Sequence, residues 1–224
     1  VARVLITGAG RGIGKALTEH YAATGDEVIA CVRDPKRCEG LASGKARLQV
    51  LDAGSPDSID AAREALGDTP IDILINNAGA AGGRRQTLDD LDLDEWRRTL
   101  DVNTIGPILI ARAFKSNLAA SGNGKLMNVT SQLAASTWPF GGMYIYSSTK
   151  AALSRATQIL AIDWKEAPIT VALMHPGWVK TDMGGPNADI TPEESAAGVI
   201  SVIAKMTKVD SGTFYKWNGE IHPW

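Results

Sequence analysis

The sequence predicts an α/β fold, a doubly wound parallel sheet in a single domain covering residues 1–224. Three observations predict it. Short apolar runs alternate with stretches of helical period, which is the pattern of a parallel sheet covered on both faces. The first such run, VLIT, leads directly into the glycine-rich turn TGAGRGIG at 7–14 and then into a helix. The chain has 224 residues, 44% hydrophobic and 21% charged, enough for one well-buried α/β domain and short for two.

The elements follow in order. Residues 4–7 read as the first strand, and a helix runs from about Ile13 to Ala23, ended by Thr24-Gly25. Residues 27–33 form the second strand and 48–51 the third. In SPDSIDAAREAL, Ser55 is the N-cap and Pro56 the first helical residue of an amphipathic helix. IDILINN at 71–77 is the fourth strand. Residues 89–118 are expected to be mostly helical, bent or interrupted at Gly106-Pro107. Residues 124–129 are the fifth strand, a helix carrying Tyr146 and Lys150 runs to about Trp164, and 169–177 is the sixth strand. TPEESAAGVISVIAKM opens with a capping box, Thr191 with Glu194, and Pro192 in first helical position. A short strand near 213–217 closes the sheet. This arrangement binds dinucleotides outside the carboxyl ends of its strands.

Composition narrows the function classes. A net charge of −2 gives no electrostatic reason to expect nucleic acid or an anionic membrane as partner. The opening VARVLITGAG leaves no room for a signal peptide and no run reaches transmembrane length, so a cytoplasmic protein is expected. Cys31 and Cys38 lack the number, spacing and histidine neighbours of a disulfide framework or zinc site; they read as ordinary thiols, and no metal is expected.

The glycine turn is the first chemical signal. Gly8 permits a tight turn, Gly12 allows backbone to approach a pyrophosphate, and Gly14 allows close packing where the helix dipole is positive. The second signal lies in GGMYIYSSTKAAL, at 141–153, which holds two tyrosines. Tyr146 and Lys150 are four apart and share a helix face, whereas the same step from Tyr144 lands on Ser148. A free phenol has a pKa of about 10, and a nearby ammonium favours its ionised form. Such a pair also arises by chance, so it needs corroboration elsewhere in the chain.

Together, T-G-x-x-x-G-x-G and Y-x-x-x-K resemble the short-chain dehydrogenase/reductase family, whose fold is the Rossmann fold. Four further places match, in order: NNAG at 76–79, Asn103 in the next helix, Ser131 ending NVTS, and Pro176-Gly177-Trp178-Val179-Lys180-Thr181 after the sixth strand. FYKWNGEIHPW and the GGMYIYSSTKAAL insertion are most similar to the C-factor and sniffer-like carbonyl reductase branch. The resemblance implies an enzyme that transfers hydride to or from a nicotinamide, with Tyr146 as acid in carbonyl reduction and base in alcohol oxidation. Lys150 would lower the tyrosine pKa and bond the nicotinamide ribose, Ser131 would polarise the substrate carbonyl, and Asn103 would position a proton-relaying water. A strand-end cap, a buried hydrogen-bonder at the helix bend and a solvated lysine are the structural alternatives for Ser131, Asn103 and Lys150. Many family members place the serine thirteen residues before the tyrosine, which here points to Tyr144; Tyr146 requires two extra residues, for which TWPFGGM has room.

The cofactor set implied by the resemblance is Gly8, Gly10, Arg11, Gly12, Ile13, Gly14, Asn77, Ala78, Gly79, Tyr146, Lys150, Pro176, Gly177, Val179 and Thr181, with Asp52 on the adenine. Where the family's acidic residue for NAD ends the second strand, this chain has Val32 and then Arg33; with Arg11 these cations favour NADP(H). Asp34, one residue on, would favour NAD(H), and a turn or cap role is open for Asp52. Only 184–190 separates Met183 from the helix cap at Thr191, so the substrate loop is short and an open apolar pocket lined by Trp138, Phe140, Met143, Trp178 and Met183 is expected, with ordinary packing as the alternative. Such a pocket takes apolar or aromatic carbonyls with broad specificity. NAD-dependent alcohol oxidation, or a signalling protein that keeps the cofactor and turns over little, are the other readings. A homodimer or homotetramer is implied by the family's habit of pairing through the helices holding Asn103 and Tyr146.

Overall fold

In the computed structural model, which describes residues 1–41, 46–83 and 86–224, seven parallel strands form one sheet in the order β3-β2-β1-β4-β5-β6-β7. The strands are β1 (Arg3–Thr7), β2 (Glu27–Val32), β3 (Ala46–Val50), β4 (Ile73–Asn76), β5 (Gly124–Val129), β6 (Ile169–His175) and β7 (Phe214–Lys216). The chain lays down β1, β2 and β3 in one direction and then crosses to the other side of β1 for β4. That reversal of strand order is where a doubly wound sheet opens a crevice. Register carries the strand ends to one edge: Ile6 pairs with Ile75, Asn76 with Asn128, and Val129 with Met174.

Among the described residues, seven α-helices cover both faces: α1 (Gly12–Ala23), α2 (Pro56–Leu66), α3 (Leu93–Leu100), α4 (Gly106–Ala113), α5 (Lys115–Ala120), α6 (Tyr144–Asp163) and α7 (Pro192–Lys205). Strand β1 shows why both faces are apolar. Val4 and Ile6 pack with Leu17 and Tyr21 of α1 and Val199 and Ile203 of α7, while Leu5 faces Ile59 of α2 and Ile110 of α4. Successive side chains of a strand point to opposite faces, so two layers of helix demand an uninterrupted apolar strand.

The helix starts have identifiable causes. Ser55 Oγ accepts from Ser58 N at 3.3 Å, and the Thr191–Glu194 capping box closes in both directions, at 3.1 and 2.8 Å. The helical segment expected from residue 89 begins instead at Leu93, because Asp92 is the cap: its carboxylate accepts from the N–H groups of Asp94 and Glu95, both at 3.0 Å. Those bonds, that to Glu95 foremost, hold its pKa below the ordinary value. The interruption expected at Gly106-Pro107 takes the form of a π-helical turn over Asp101–Ile105, with a break between α4 and α5 at Phe114. The expected last strand is three residues, Phe214–Lys216. No helix among the described residues is long and apolar enough to cross a membrane.

Candidate active site

The loops following β1, β4, β5 and β6 meet at the carboxyl edge of the sheet. Thr7, the last residue of β1, joins two of them: its Oγ1 accepts from Asn77 N at 3.1 Å and Ala78 N at 3.0 Å. Asn77 returns the contact, its Nδ2 donating to the carbonyls of Thr7 (3.1 Å) and Gly8 (3.3 Å). The side chain of Asn77 therefore fixes the glycine turn. Gly8 has φ +66°, and a Cβ on it would stand 2.8 Å from Ala78 Cα. A Cβ on Gly14 would collide with the Gly8 carbonyl and reach within 2.6 Å of Asn77 Nδ2. Gly14→Ala is accordingly expected to open the turn, losing most dinucleotide affinity and about 1–3 kcal/mol of stability; nicotinamide fluorescence titration and thermal melting read the two. The start of α1 carries no side-chain cap, so its first-turn N–H groups are not taken by a capping oxygen. Gly10 lies against Cys38 and Val32, and Ile13 anchors the helix start in the core.

The next binding feature follows β2. Arg33 is exposed, and no carboxylate pairs with it among the described residues. Asp34 is committed locally: its carboxylate accepts from Lys36 N at 3.1 Å, capping a 3-10 turn over Pro35–Arg37, and pairs with Arg37 Nε at 3.2 Å. Among the described residues the cation at this edge has no carboxylate partner and the carboxylate is engaged, an arrangement that fits a phosphate on the adenine ribose better than its bare hydroxyls. Arg11 is not poised in the same way. It pairs with Asp182 at 3.0 Å, both ends exposed, and so ties the glycine turn to the loop after β6. Asp52 makes a turn, its Oδ1 accepting from Gly54 N at 3.0 Å.

The reaction centre assembles from three elements. Ser131 follows β5 and is buried; its Oγ accepts from Leu133 N at 3.2 Å, which leaves its proton to give. Tyr146 is in the first turn of α6, and its phenol lies within reach of the Ser131 side chain, whereas Tyr144 is exposed. The thirteen-residue spacing points to Tyr144, but in space Tyr146 is the tyrosine that meets Ser131. Burial raises the phenol above its ordinary pKa, and the Ser131 side chain pulls weakly the other way. Lys150 is 3% exposed, donates through Nζ to the Val129 carbonyl at 2.8 Å, and is lowered by burial to about 8. The sequence led to an expected lowering of the phenol by Lys150; instead desolvation sets the direction, and the opposing pull comes from Ser131.

Asn103 sits in the π turn with no exposed surface. Its Oδ1 accepts from Ala80 N at 2.8 Å, and its Nδ2 donates to Ala80 O at 2.9 Å and Thr149 Oγ1 at 3.0 Å. Widening at a π turn is common at functional sites; here it aims an amide inward between the loop after β4 and helix α6. A second buried amide, Gln86, which no sequence pattern singles out, accepts through Oε1 from Tyr146 N at 2.9 Å.

The loop after β6 crosses the glycine turn: a Cβ on Gly12 would stand 3.0 Å from Thr181 Cγ2. Pro176 accepts from Ser195 Oγ at 2.6 Å, Gly177 has φ +90°, Val179 is buried, and Thr181 Oγ1 accepts from Gly184 N at 3.2 Å. Of the expected pocket residues, Phe140, Met143, Trp178 and Met183 are exposed, Phe140 most at 70%. Trp138 and Phe140 pack edge to face at 5.3 Å, while Trp178 is tied through Nε1 to Gly184 O at 2.9 Å on the other loop. The structure thus presents apolar side chains on two separate loops, with no ring contact between the two groups among the described residues.

Comparison with known proteins adds independent evidence. The family model described as short chain dehydrogenase matches residues 2–192. The C-signal of Myxococcus xanthus is 37% identical over 158 residues, covering 69% of this chain and 93% of that protein. An NADPH-bound carbonyl reductase from chicken fatty liver superposes with a TM-score of 0.91 at 33% identity, over 100% of this chain and 99% of the other. The carbonyl reductase Sniffer of Drosophila melanogaster superposes with a TM-score of 0.92 at 27% identity, over the whole of both chains.

Proposed function

Since this chain belongs to the short-chain dehydrogenase family, and is an oxidoreductase of that type, we propose that it reduces an aldehyde or ketone to the alcohol with NADPH, Tyr146 giving the proton. One observation carries the reading. The phenol of Tyr146 lies within reach of the Ser131 side chain, on the helix face it shares with Lys150. A phenol in that place can give its proton to a carbonyl oxygen held by Ser131.

The roles follow from what each group has left to offer. Ser131, whose Oγ accepts from Leu133 N, donates a hydrogen bond to the substrate oxygen and holds the carbonyl against Tyr146. Tyr146 donates its proton to that oxygen as the carbon is reduced. Lys150, held to the Val129 carbonyl and lowered to about 8, is mostly cationic at pH 7 and stabilises the phenolate that forms. Both amide hydrogens of Asn103 are engaged, so any water it holds is held by an oxygen. The nicotinamide, when bound, supplies the hydride. Gly8, Gly10, Gly12, Ile13 and Gly14 would hold the dinucleotide's phosphates, Ala78, Gly79, Pro176, Gly177, Val179 and Thr181 its nicotinamide end, and Asp52 its adenine. Trp138, Phe140, Met143, Trp178 and Met183 are assigned to an open apolar lip for the substrate.

NADP(H) is the favoured cofactor. Arg33, which has no carboxylate partner among the described residues, and the engaged Asp34 support it, as does the NADPH in the chicken carbonyl reductase, whose whole fold this chain shares. In parallel titrations NADPH is expected to bind at least about tenfold more tightly than NADH, a difference of about 1.4 kcal/mol. Arg33→Ala should abolish most of that preference without weakening NADH. Tighter NADH binding would overturn the cofactor assignment and direct attention to alcohol oxidation. Turnover of apolar and aromatic carbonyls with NADPH tests the function itself. A protein that binds NADPH but reduces none of a broad carbonyl panel is better read as a signalling relative of the C-signal.

A further inference from the structure

Helix α6 begins without a cap of its own. Met143, the residue before it, has φ 52° and makes no side-chain capping bond, and it is the one non-glycine residue at positive φ among the described residues. The first-turn N–H groups of a helix need acceptors from elsewhere. Here Gln86 supplies them: its side-chain Oε1 accepts from Tyr146 N at 2.9 Å and its backbone carbonyl accepts from Tyr144 N at 3.4 Å. The side chain is 7% exposed, and both hydrogens of Nε2 are used, on Ala81 O at 2.6 Å and Gly83 O at 3.1 Å. The amide therefore binds the loop after β4 to the start of the tyrosine helix.

The opposite end of the same loop is clasped by Asn103, which holds Ala80 by both N–H and carbonyl and reaches Thr149. Thr149 Oγ1 in turn donates to the Tyr146 carbonyl at 2.9 Å. The backbone of Tyr146 is thus gripped on both sides, at N–H by Gln86 and at C=O through Thr149 and Asn103. Between the two clasps, Gly82 at φ +81° lets the loop lie directly on Ile145. We propose that Gln86 is a positioning residue for Tyr146, fixing the height and rotation of the proton donor relative to Ser131 without touching substrate or cofactor. The inference rests on the reading of Tyr146 as the acid given above. A buried amide with all its hydrogens engaged resists displacement, and small misplacement of a reacting group lowers rate steeply.

The test is Gln86→Leu, which fills similar space and leaves three backbone groups without their partner, alongside Gln86→Asn, which keeps an amide on a shorter stem. In Gln86→Leu, kcat for carbonyl reduction should fall about 10- to 100-fold, while NADPH affinity and substrate KM stay within about twofold. Amide hydrogen exchange at Tyr146 should accelerate relative to Leu153, deeper in α6. Gln86→Asn should lie between wild type and Gln86→Leu in both readouts, and it carries the test if the leucine variant does not fold. Unchanged kcat, or a fall matched by equal loss of NADPH affinity, overturns the positioning role. If wild type reduces no carbonyl, the functional reading fails. The exchange measurement then decides alone: unchanged protection of the Tyr146 amide means that Gln86 does not fix the helix start.

Discussion

Tyr146→Phe is expected to lower carbonyl reduction by at least about a hundredfold, with NADPH affinity unchanged and thermal stability within about 0.5 kcal/mol of wild type. The phenol oxygen is the only atom removed; the ring keeps its place in the first turn of α6, so the packing beside Ser131 survives. Tyr144→Phe is the matched control. Tyr144 is exposed at 42%, two residues away and on another face of the helix, and its loss should leave kcat/KM within about twofold. Steady-state kinetics of both variants with one carbonyl, together with NADPH titrations, make the comparison. Equal loss in the two would remove Tyr146 from the role of acid.

Lys150→Met should divide activity from stability. Turnover is expected to fall at least about a hundredfold, because the cation that stabilises the forming phenolate is gone, yet the folded state should not weaken and should gain. The Nζ is buried against Gly79 with a single carbonyl partner, and burial lowers its pKa from 10.5 to about 8. A shift of that size corresponds to about 3 kcal/mol against the charged form at neutral pH, offset in the variant by loss of the bond to Val129 O. The sign of the pH dependence follows. Between pH 8 and 10.5 the unfolded lysine binds a proton that the folded lysine has released, so wild-type stability rises with pH across that window. Lys150→Met lacks that rise. Denaturant unfolding at pH 7 and pH 10 measures it, and a variant clearly less stable than wild type at pH 7 would contradict the account of Lys150 as a desolvated cation.

Residue order alone carried the architecture because the physics that sets it is local. Alternating apolar runs and helical periods, Ser55-Pro56, the Thr191–Glu194 box and the glycine turn each act within a few residues, and each element forms close to where its signal stands. Asp92 shows the limit of such signals: in TLDDLDLDEW several acidic residues can cap, and only the folded backbone selects one. The four-residue step from Tyr146 to Lys150 was likewise legible, being a property of one helix.

Contacts between distant segments were not. The partner of Arg11 is Asp182, 171 residues away, so a guanidinium read as a phosphate ligand is found bridging two loops. Asp34 and Arg33 are adjacent in sequence and equally placed to receive a ribose; they separate only when the Asp34 carboxylate caps its own 3-10 turn. Gln86 carries no motif at all, because its function is set by three backbone groups brought to it by folding. Desolvation, finally, is a property of the assembled interior. The sequence placed a cation one turn from a phenol and pointed to a lowered tyrosine pKa; only the tertiary structure, by burying Lys150 and partly burying Tyr146, decided that the phenol is raised and the lysine lowered.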